Sequence, residues 1–432
     1  MQVPLPGFIG IANNGDFAKV CGWLCLAPRG AETNFTYFQP DYVWSARNYW
    51  NSPYHSSEST LAYLATRMAG ATHEGAVFDI RWLGALHAVL FLAAFGILLT
   101  SLHDRGWRAQ ASAVLPLIVF TDVCYTAYLN SFYMDAVALC ALLLMTAAAI
   151  WMTLSLAPRA APLGAFTFAA LLFAASKTQH AIWMALPAAL LIAWGVQWKS
   201  RWRARAWSSA GLVLLVGAAM LASTDACYRG QAMFNLLFFR LGPAGADLQP
   251  LGVRPGELRY RGRHSYMPGG PNVSVQWTEE FGRRTGFVRL LGWYARHPGS
   301  TLGFLSKTLT EGGPEMRPVN LSNFRVEDGR AAEARTGRFA MWSSFRSWLS
   351  RRWPWHLPAW YAVFLAGCLA SRSPLRWVAM GIAALGAGEF VAAALADCLD
   401  AGRHLFLFQA ATDLTICFAV AWLLQKTIRH TP

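Results

Sequence analysis

Residues 133–156 read YMDAVALCALLLMTAAAIWMTLSL, the most continuous apolar stretch in the first half of the chain. A helix needs about 20 consecutive, predominantly apolar residues to cross the hydrocarbon core of a bilayer. This stretch is that long, and its only charged residue, Asp135, stands near its beginning. The sequence therefore predicts a transmembrane helix over 133–156.

Comparable runs on both sides of this helix extend the prediction to most of the chain. Only 14% of the 432 residues are charged and 55% are hydrophobic, whereas a soluble domain carries about 25% charged residues. We predict an all-α polytopic membrane protein with about nine transmembrane helices, interfacial helices and one large outer-face loop region. The predicted spans are 82–101, 110–129, 133–156, 162–177, 180–197, 207–224, 357–371, 375–396 and 404–425.

The short basic connections between these runs indicate the orientation of the chain. If the spans alternate, all of these connections fall on one face, which the positive-inside rule assigns to the cytoplasm. We expect a bacterial inner-membrane protein with a cytoplasmic C-terminus and large periplasmic loops. This distribution also explains the net charge of +14 without nucleic acid as a partner. The connections contain Arg105, Arg108, Arg159, Lys199, Arg201, Arg203, Arg205, Arg372, Arg376, Lys426 and Arg429.

The predicted spans divide the chain into four regions. Residues 1–80 form an outer-face loop with interfacial helices, and residues 81–224 form transmembrane helices one to six. Residues 225–356 form an outer-face loop region with amphipathic helices, which Arg and apolar residues at three- and four-residue spacing indicate. Residues 357–432 form helices seven to nine and a short cytoplasmic tail.

Nine spans place the two termini on opposite sides of the membrane. A tenth span ahead of residue 1 would put both in the cytoplasm, and a truncated or misassigned start is one interpretation of this arrangement.

Two carboxylates stand where the chain meets the outer membrane surface. Asp16 follows Asn13-Asn14-Gly15, and Asp135 begins the span over 133–156. Each has an ordinary structural explanation, because aspartate closes turns and caps helices and is favoured in the first turn of a helix. The functional interpretation is a catalytic base or a carboxylate that orients the substrate, since an acid beside hydrocarbon is costly.

Basic residues stand at the same predicted face. Lys177 and His180 lie in Ser176-Lys177-Thr178-Gln179-His180, and Arg403 and His404 lie in the last outer turn. Such groups suit a phosphate on a lipid, but a lysine here could equally extend to ordinary headgroups.

Asp397 and Asp400 share the last outer turn with this Arg–His pair, and an ion-paired turn is the simpler explanation for the four. Three further acids, Asp122, Glu389 and Asp413, lie deeper and are expected to pair with cations, line a polar cavity or hydrogen-bond between helices.

Five short stretches together resemble the bacterial polytopic glycosyltransferases of the GT-C type, in particular the hexose-transferase-like proteins of cell-envelope glycan assembly. The resemblance covers nearly the whole chain and depends on the order of short motifs. They are Asn13-Asn14-Gly15-Asp16-Phe17, Asn130-Ser131-Phe132-Tyr133-Met134-Asp135, Ser176-Lys177-Thr178-Gln179, Trp293-Tyr294 with His297-Pro298, and Asp400 to Leu405.

The resemblance implies a sugar transfer from a polyprenyl-phosphate donor to an envelope glycan or lipid acceptor. By position Asp16 corresponds to the catalytic base, and Asp135 is a supporting carboxylate. The donor-phosphate ligands would be Lys177, His180, Arg403 and His404, with Asp397 and Asp400 in support. No Asp-Asp or Asp-Glu pair stands at Asp16, so no divalent metal or other cofactor is implied.

Two other functions remain open at this point. A flippase or transporter for a lipid-linked glycan would favour internal repeats and broken helices near mid-membrane, and the sequence shows no such repeat. A non-catalytic membrane component of glycan assembly would have no need of acids and cations on one face. The enzyme interpretation requires the predicted residues to lie together in space.

Overall fold

The protein is described by a computed structural model covering residues 7–30, 36–49, 54–155, 157–198, 201–268, 274–318 and 321–426. Two of the basic residues used for the orientation, Lys199 and Arg429, lie outside these residues.

Helices account for most of the described chain, as the apolar runs predict. They are α1 (Ala18–Cys21), α2 (Ser57–Met68), α3 (Arg81–Leu102), α4 (Trp107–Ser112), α5 (Val114–Phe120), α6 (Val123–Leu129), α7 (Met134–Leu154), α8 (Ala160–Ala174), α9 (Thr178–Ala181), α10 (Ala185–Gln197), α11 (Arg201–Ala222), α12 (Ala226–Phe234), α13 (Val275–Arg284), α14 (Phe287–Arg296), α15 (Pro298–Lys307), α16 (Met341–Arg352), α17 (His356–Ala370), α18 (Arg376–Ala396), α19 (Ala401–His404) and α20 (Phe406–Lys426).

Every predicted span contains helix, which confirms the polytopic all-α fold. Among the described residues, six helical stretches are long and apolar enough to cross a membrane. They are Arg81–Arg105, Met134–Leu154, Thr178–Gln197, Arg201–Ala222, Arg376–Ala396 and Phe406–Leu424. The predicted spans 162–177 and 357–371 are represented by α8 and α17, which have 15 residues each. These two helices are therefore shorter than a full crossing requires.

The predicted span 110–129 is broken, and the break has a local cause. The segments Ala109–Phe120 and Val123–Leu129 meet at an angle of 72°. Asp122 takes an extended backbone conformation between them, and its carboxylate accepts a hydrogen bond from Cys124 N, which caps α6. A second hydrogen bond, from Ser343 N to Asp122 Oδ2 at 3.0 Å, holds the break against α16.

The turn expected at 178–179 lies slightly earlier, at residues 175–177. Helix α9 starts at Thr178, whose backbone N donates a 2.7 Å hydrogen bond to the hydroxyl of Tyr54. The first N–H groups of a helix have no partner within the helix. Because Tyr54 accepts the hydrogen bond from Thr178 N, the helix can begin at Thr178.

The region ahead of α3 contains a small antiparallel sheet that we did not predict. Its strands are β1 (Leu26–Pro28), β2 (Asp41–Trp44) and β3 (Val77–Asp79), in the order β1-β2-β3. Helix α2 belongs to this region, and Ser56 caps it by accepting a hydrogen bond from Ser59 N. This region is therefore a folded layer at one end of the bundle.

The region between α11 and α17 packs helices on this same end. Helices α13 and α14 each bury an apolar face, and His297-Pro298 separates α14 from α15. Two π-helical segments, Asn235–Leu241 and Thr308–Gly312, continue α12 and α15. The second segment lies against α19, and this contact joins the region to the last outer turn.

The deep acids Asp413 and Glu389 form hydrogen bonds between helices, which was one of the three roles expected for them. Asp413 pairs with the buried Arg346 of α16. It also accepts 2.6 Å hydrogen bonds from Tyr125 and Trp342. Glu389 accepts a hydrogen bond from Gln179. The contacts of Asp413 with Arg346 and Trp342 hold α16 against α20.

Candidate functional site

The turn that carries Asp16 is closed by its two asparagines. Asn13 Oδ1 accepts hydrogen bonds from Gly15 N at 2.8 Å and from Phe17 N at 3.1 Å. Asn14 Oδ1 accepts one from Asp16 N at 3.2 Å. Asn13 and Asn14, and not Asp16, therefore close this turn. The Asp16 carboxylate makes ion pairs instead.

Two cations hold the Asp16 carboxylate. Lys19 Nζ lies 2.7 Å from Asp16 Oδ1, three residues further along the chain at α1. Arg403 Nη2 lies 2.8 Å from Asp16 Oδ2 and comes from the opposite end of the chain. Asp16 remains partly exposed, so the pair stands at an accessible edge of the fold.

Arg403 joins the N-terminal turn to the transmembrane bundle. The guanidinium is buried, and besides Asp16 it lies 2.9 Å from Asp400 and 3.7 Å from Asp135. It also lies over the ring of Tyr133, with its Cζ 5.2 Å from the ring centroid. One cation therefore meets three carboxylates and an aromatic face.

Lys177 completes the group from a further segment. Its Nζ lies 3.5 Å from Asp135 Oδ1, and both side chains are buried. Four separate parts of the chain thus meet here: the N-terminal turn, the start of α7, the turn before α9 and helix α19. We call Asp16, Lys19, Asp135, Lys177, Asp400 and Arg403 the charged cluster.

The other predicted site residues surround this cluster. His404 Nε2 lies 2.9 Å from Asp397 Oδ2 and 3.2 Å from Arg403 Nη2. His404 Nδ1 is buried and has no hydrogen-bond partner within the described chain. His180 lies deeper, where its Nδ1 is 2.8 Å from Ser176 Oγ and its ring stacks on Phe173. All eight predicted residues therefore belong to one region.

Neighbouring cations keep the carboxyls of Asp16 and Asp397 ionised. Burial by itself raises the pKa of the Asp16 carboxyl, but Lys19 and Arg403 outweigh burial and hold this pKa well below its usual range. Burial also raises the pKa of the Asp397 carboxyl, but His404, the backbone N–H of Leu399 and Arg403 together outweigh burial and hold this pKa well below its usual range. Burial lowers the pKa of Lys19, but the Asp16 charge more than offsets it and the pKa is raised.

Several members of this region were not predicted from the sequence. Lys19 is the clearest, and the i,i+3 spacing from Asp16 at a helix start could have indicated it. Tyr228 lies under Lys19, whose Nζ is 4.5 Å from the ring centroid. Asn14 donates a 3.1 Å hydrogen bond to Asp400, and its backbone N donates one to the hydroxyl of Tyr133. No local pattern points to these long-range contacts.

The cluster brings three cations together with three carboxylates, and a phosphate has the chemistry to replace a carboxylate as the partner of a cation. Within the described ranges, no group of three or more His, Cys, Asp or Glu side chains is arranged to hold a metal ion.

Fold and site together define a polytopic α-helical membrane protein with an ionic site at one end of its bundle. A family model described as the YfdI N-terminal transmembrane domain matches residues 5–431. The chain therefore belongs to this family. Neither a curated protein nor a solved structure gives a significant match.

Proposed function

We propose that the protein is a membrane glycosyltransferase that moves a sugar from a polyprenyl-phosphate donor to a glycan or lipid acceptor. The reaction would take place at the outer face of the bacterial inner membrane. One observation favours this function above others: Asp16, Asp135, Lys177 and Arg403 make direct ion pairs although four separate segments supply them. A sugar-phosphate site needs a base and phosphate-binding cations within the length of its substrate.

The cations of the cluster are paired with carboxylates, so a donor phosphate has to exchange with these partners. A donor phosphate competes with Asp16 and Asp135 for Arg403 and Lys177. When the phosphate takes Arg403, Asp16 loses one of its two cationic partners, so its pKa rises from its lowered value. Donor binding thereby prepares the carboxylate to accept a proton.

The transfer step follows from these positions. The acceptor hydroxyl oxygen forms a bond to the anomeric carbon while the bond from that carbon to the phosphate oxygen breaks. Asp16 takes the hydroxyl proton, and polyprenyl phosphate leaves with both electrons of the broken bond. Arg403 and Lys177 stabilise the negative charge that develops on the leaving phosphate.

An apolar pocket within the bundle suits part of the lipid chain of the donor. The pocket lies between α7, α8, α10 and α18. Phe173 lines it, and the same ring stacks on His180 at 5.2 Å between centroids. A polyprenyl chain in this pocket would have its phosphate end near the buried Lys177.

The test is release of polyprenyl phosphate by purified protein in bilayers that contain a polyprenyl-phosphate sugar and an acceptor. We expect Asp16→Asn to reduce the rate by about a hundredfold or more, the usual contribution of general base catalysis. Asp79→Asn serves as the matched control, because Asp79 pairs with Arg81 away from the cluster.

Equal rates for the wild type and Asp16→Asn would refute the role of Asp16. Movement of the lipid carrier across the bilayer without sugar transfer would instead favour the flippase.

A further inference from the structure

A cleft next to the charged cluster is lined by two arginines, Arg317 and Arg335. Its walls include Ile11, Tyr128 and Asn323. Both arginines belong to the segment between α15 and α16, which the proposed reaction does not otherwise use. The cleft is therefore a candidate for a second ligand.

The two arginines are held by backbone groups and not by acids. Arg317 Nη1 donates a 2.6 Å hydrogen bond to the carbonyl of Thr336. Arg335 Nη1 donates a 3.1 Å hydrogen bond to the carbonyl of Arg317. Within the parts of the chain that the structure describes, no carboxylate forms an ion pair with either guanidinium. The cleft thus holds two guanidinium charges without a direct carboxylate partner, and Asp122 and Glu315 act on Arg317 and Arg335 only from a longer distance.

This charge distinguishes the cleft from the cluster, where Lys19, Lys177 and Arg403 each meet a carboxylate. Burial lowers the pKa of Arg317, and repulsion from Arg335 lowers it further. Two neighbouring like charges raise the free energy of the empty cleft, and an anion bound between them would relieve the repulsion.

The cleft and the cluster are neighbours. Tyr128, which lines the cleft, has its ring centroid 5.7 Å from that of Tyr133, and Arg403 lies over the other ring. Glu315 comes two residues before Arg317 and packs against Gly402, where an added Cβ would lie 2.7 Å from Glu315 Oε2. A substrate in the cluster and an anion in the cleft could therefore belong to one reacting complex.

We propose that Arg317 and Arg335 form a binding site for a phosphate-class anion that belongs to the acceptor, separate from the donor site at Arg403. The planar guanidinium groups present paired donors that match phosphate oxygens. Assignment to the acceptor rests on the proposed function, but anion binding by the two arginines does not.

The first experiment titrates the protein, reconstituted in neutral phosphatidylcholine bilayers, with inorganic phosphate and follows binding by calorimetry. We expect the double variant Arg317→Gln/Arg335→Gln to bind about tenfold more weakly or worse, since two charge-assisted contacts are lost. Arg330→Gln is the matched control, because Arg330 is an exposed residue of the same segment that lies over Phe324.

A second double variant separates binding from folding. Arg317→Lys/Arg335→Lys keeps both charges but loses the guanidinium geometry, so we expect an affinity between those of the wild type and the Gln variant. Wild-type affinity in the Gln variant would overturn the site. So would loss of phosphate binding in Arg403→Gln while the Gln double variant still binds.

Bilayers that carry polyprenyl phosphate identify the source of the anion. If the two arginines are required to retain this lipid as well, the anion arrives on a lipid carrier, and otherwise it belongs to a free phosphate compound. Absence of sugar transfer by the wild type, with phosphate binding still dependent on Arg317 and Arg335, would refute the proposed function and leave the site standing.

Discussion

At the scale of single residues, the contacts of Asp16 change the interpretation of its role. A turn of the form Asn-Asn-Gly-Asp explains an aspartate without any function. The structure gives the turn to Asn13 and Asn14 and leaves the Asp16 carboxylate with Lys19 and Arg403. An acid held in this way is a resting-state partner of the cations that a donor phosphate would occupy.

The lowered pKa of Asp16 predicts how its ion pairs contribute to stability as pH changes. Because the pKa is lower in the folded state, the contribution is complete above the unfolded value of about 3.9 and is lost as pH falls towards the folded value. At neutral pH we expect Asp16→Asn to lower the free energy of unfolding by about 2 kcal/mol. Thermal unfolding in detergent between neutral and strongly acidic pH measures the difference.

The control for this measurement is Glu311→Gln, which removes an exposed pair with Lys307. Such a pair contributes about 0–1 kcal/mol. A stability difference between the wild type and Asp16→Asn that stays constant down to strongly acidic pH would contradict the assigned ion pairs.

The sequence identified the members of the site through their position, not through their contacts. Asp135, Lys177 and Arg403 each interrupt apolar sequence at the predicted outer face, and this sidedness was enough to select them. The pairing of Arg403 with Asp16 depends on the packing of distant helices, which no local pattern encodes. Lys19 was missed for a different reason, because a lysine near a helix start has many ordinary explanations.

At the scale of elements, long apolar runs predicted the helices, and the errors have local causes. Helix α7 was predicted correctly as one span, since nearly all of its residues are buried and no charged residue follows Asp135 within it. The predicted span 110–129 failed as one helix because Asp122 caps α6 in the middle of the run. The strands β1 to β3 are three or four residues long, too short for a visible alternation.

Helices α12 and α13 cross closely enough to make a specific prediction about two glycines. A Cβ added at Gly230 would lie 2.0 Å from the carbonyl oxygen of Thr278, and one added at Gly282 would lie 2.8 Å from Gly230 N. Overpacking of this kind costs about 1–3 kcal/mol. We therefore expect Gly230→Ala to lower the unfolding temperature measurably and to loosen the outer region.

Gly303→Ala is the matched control for this substitution. Gly303 lies within α15, and an added Cβ there meets nothing within 4 Å. Alanine in place of a helical glycine stabilises by about 0.5–1 kcal/mol. If Gly230→Ala unfolds at or above the wild-type temperature, as Gly303→Ala is expected to do, the close approach of α12 and α13 is wrong.

At the scale of the whole molecule, ionic chemistry and basic connections occupy opposite ends of the bundle. The cluster gathers the start of α7, the turn before α9 and the segment after α18. Arg105 follows the end of α3, and Arg376 stands at the start of α18. Both lie at the ends of these helices that face away from the cluster. This separation is what a membrane protein with an outward site and a cytoplasmic basic face requires.

The orientation can be tested with epitopes in two loops. Gly329 is exposed in a turn with φ of 61°, and Arg372 is exposed in the connection between α17 and α18. Exposed turns tolerate insertion, so each site can carry an epitope. In spheroplasts we expect an added protease to remove the epitope after Gly329 and to leave the epitope after Arg372 intact until the cells are lysed.

The basis of this expectation is the charge of the short connections, since Lys and Arg near the ends of spans are retained in the cytoplasm. The long region that contains Gly329 is also rich in arginine, but long loops cross the membrane largely regardless of charge. If the protease removed the epitope after Arg372 and left the epitope after Gly329 intact, the orientation of the protein in the membrane would be the reverse of the predicted one. The cluster would then face the cytoplasm, and a donor presented at the outer leaflet could not reach Asp16.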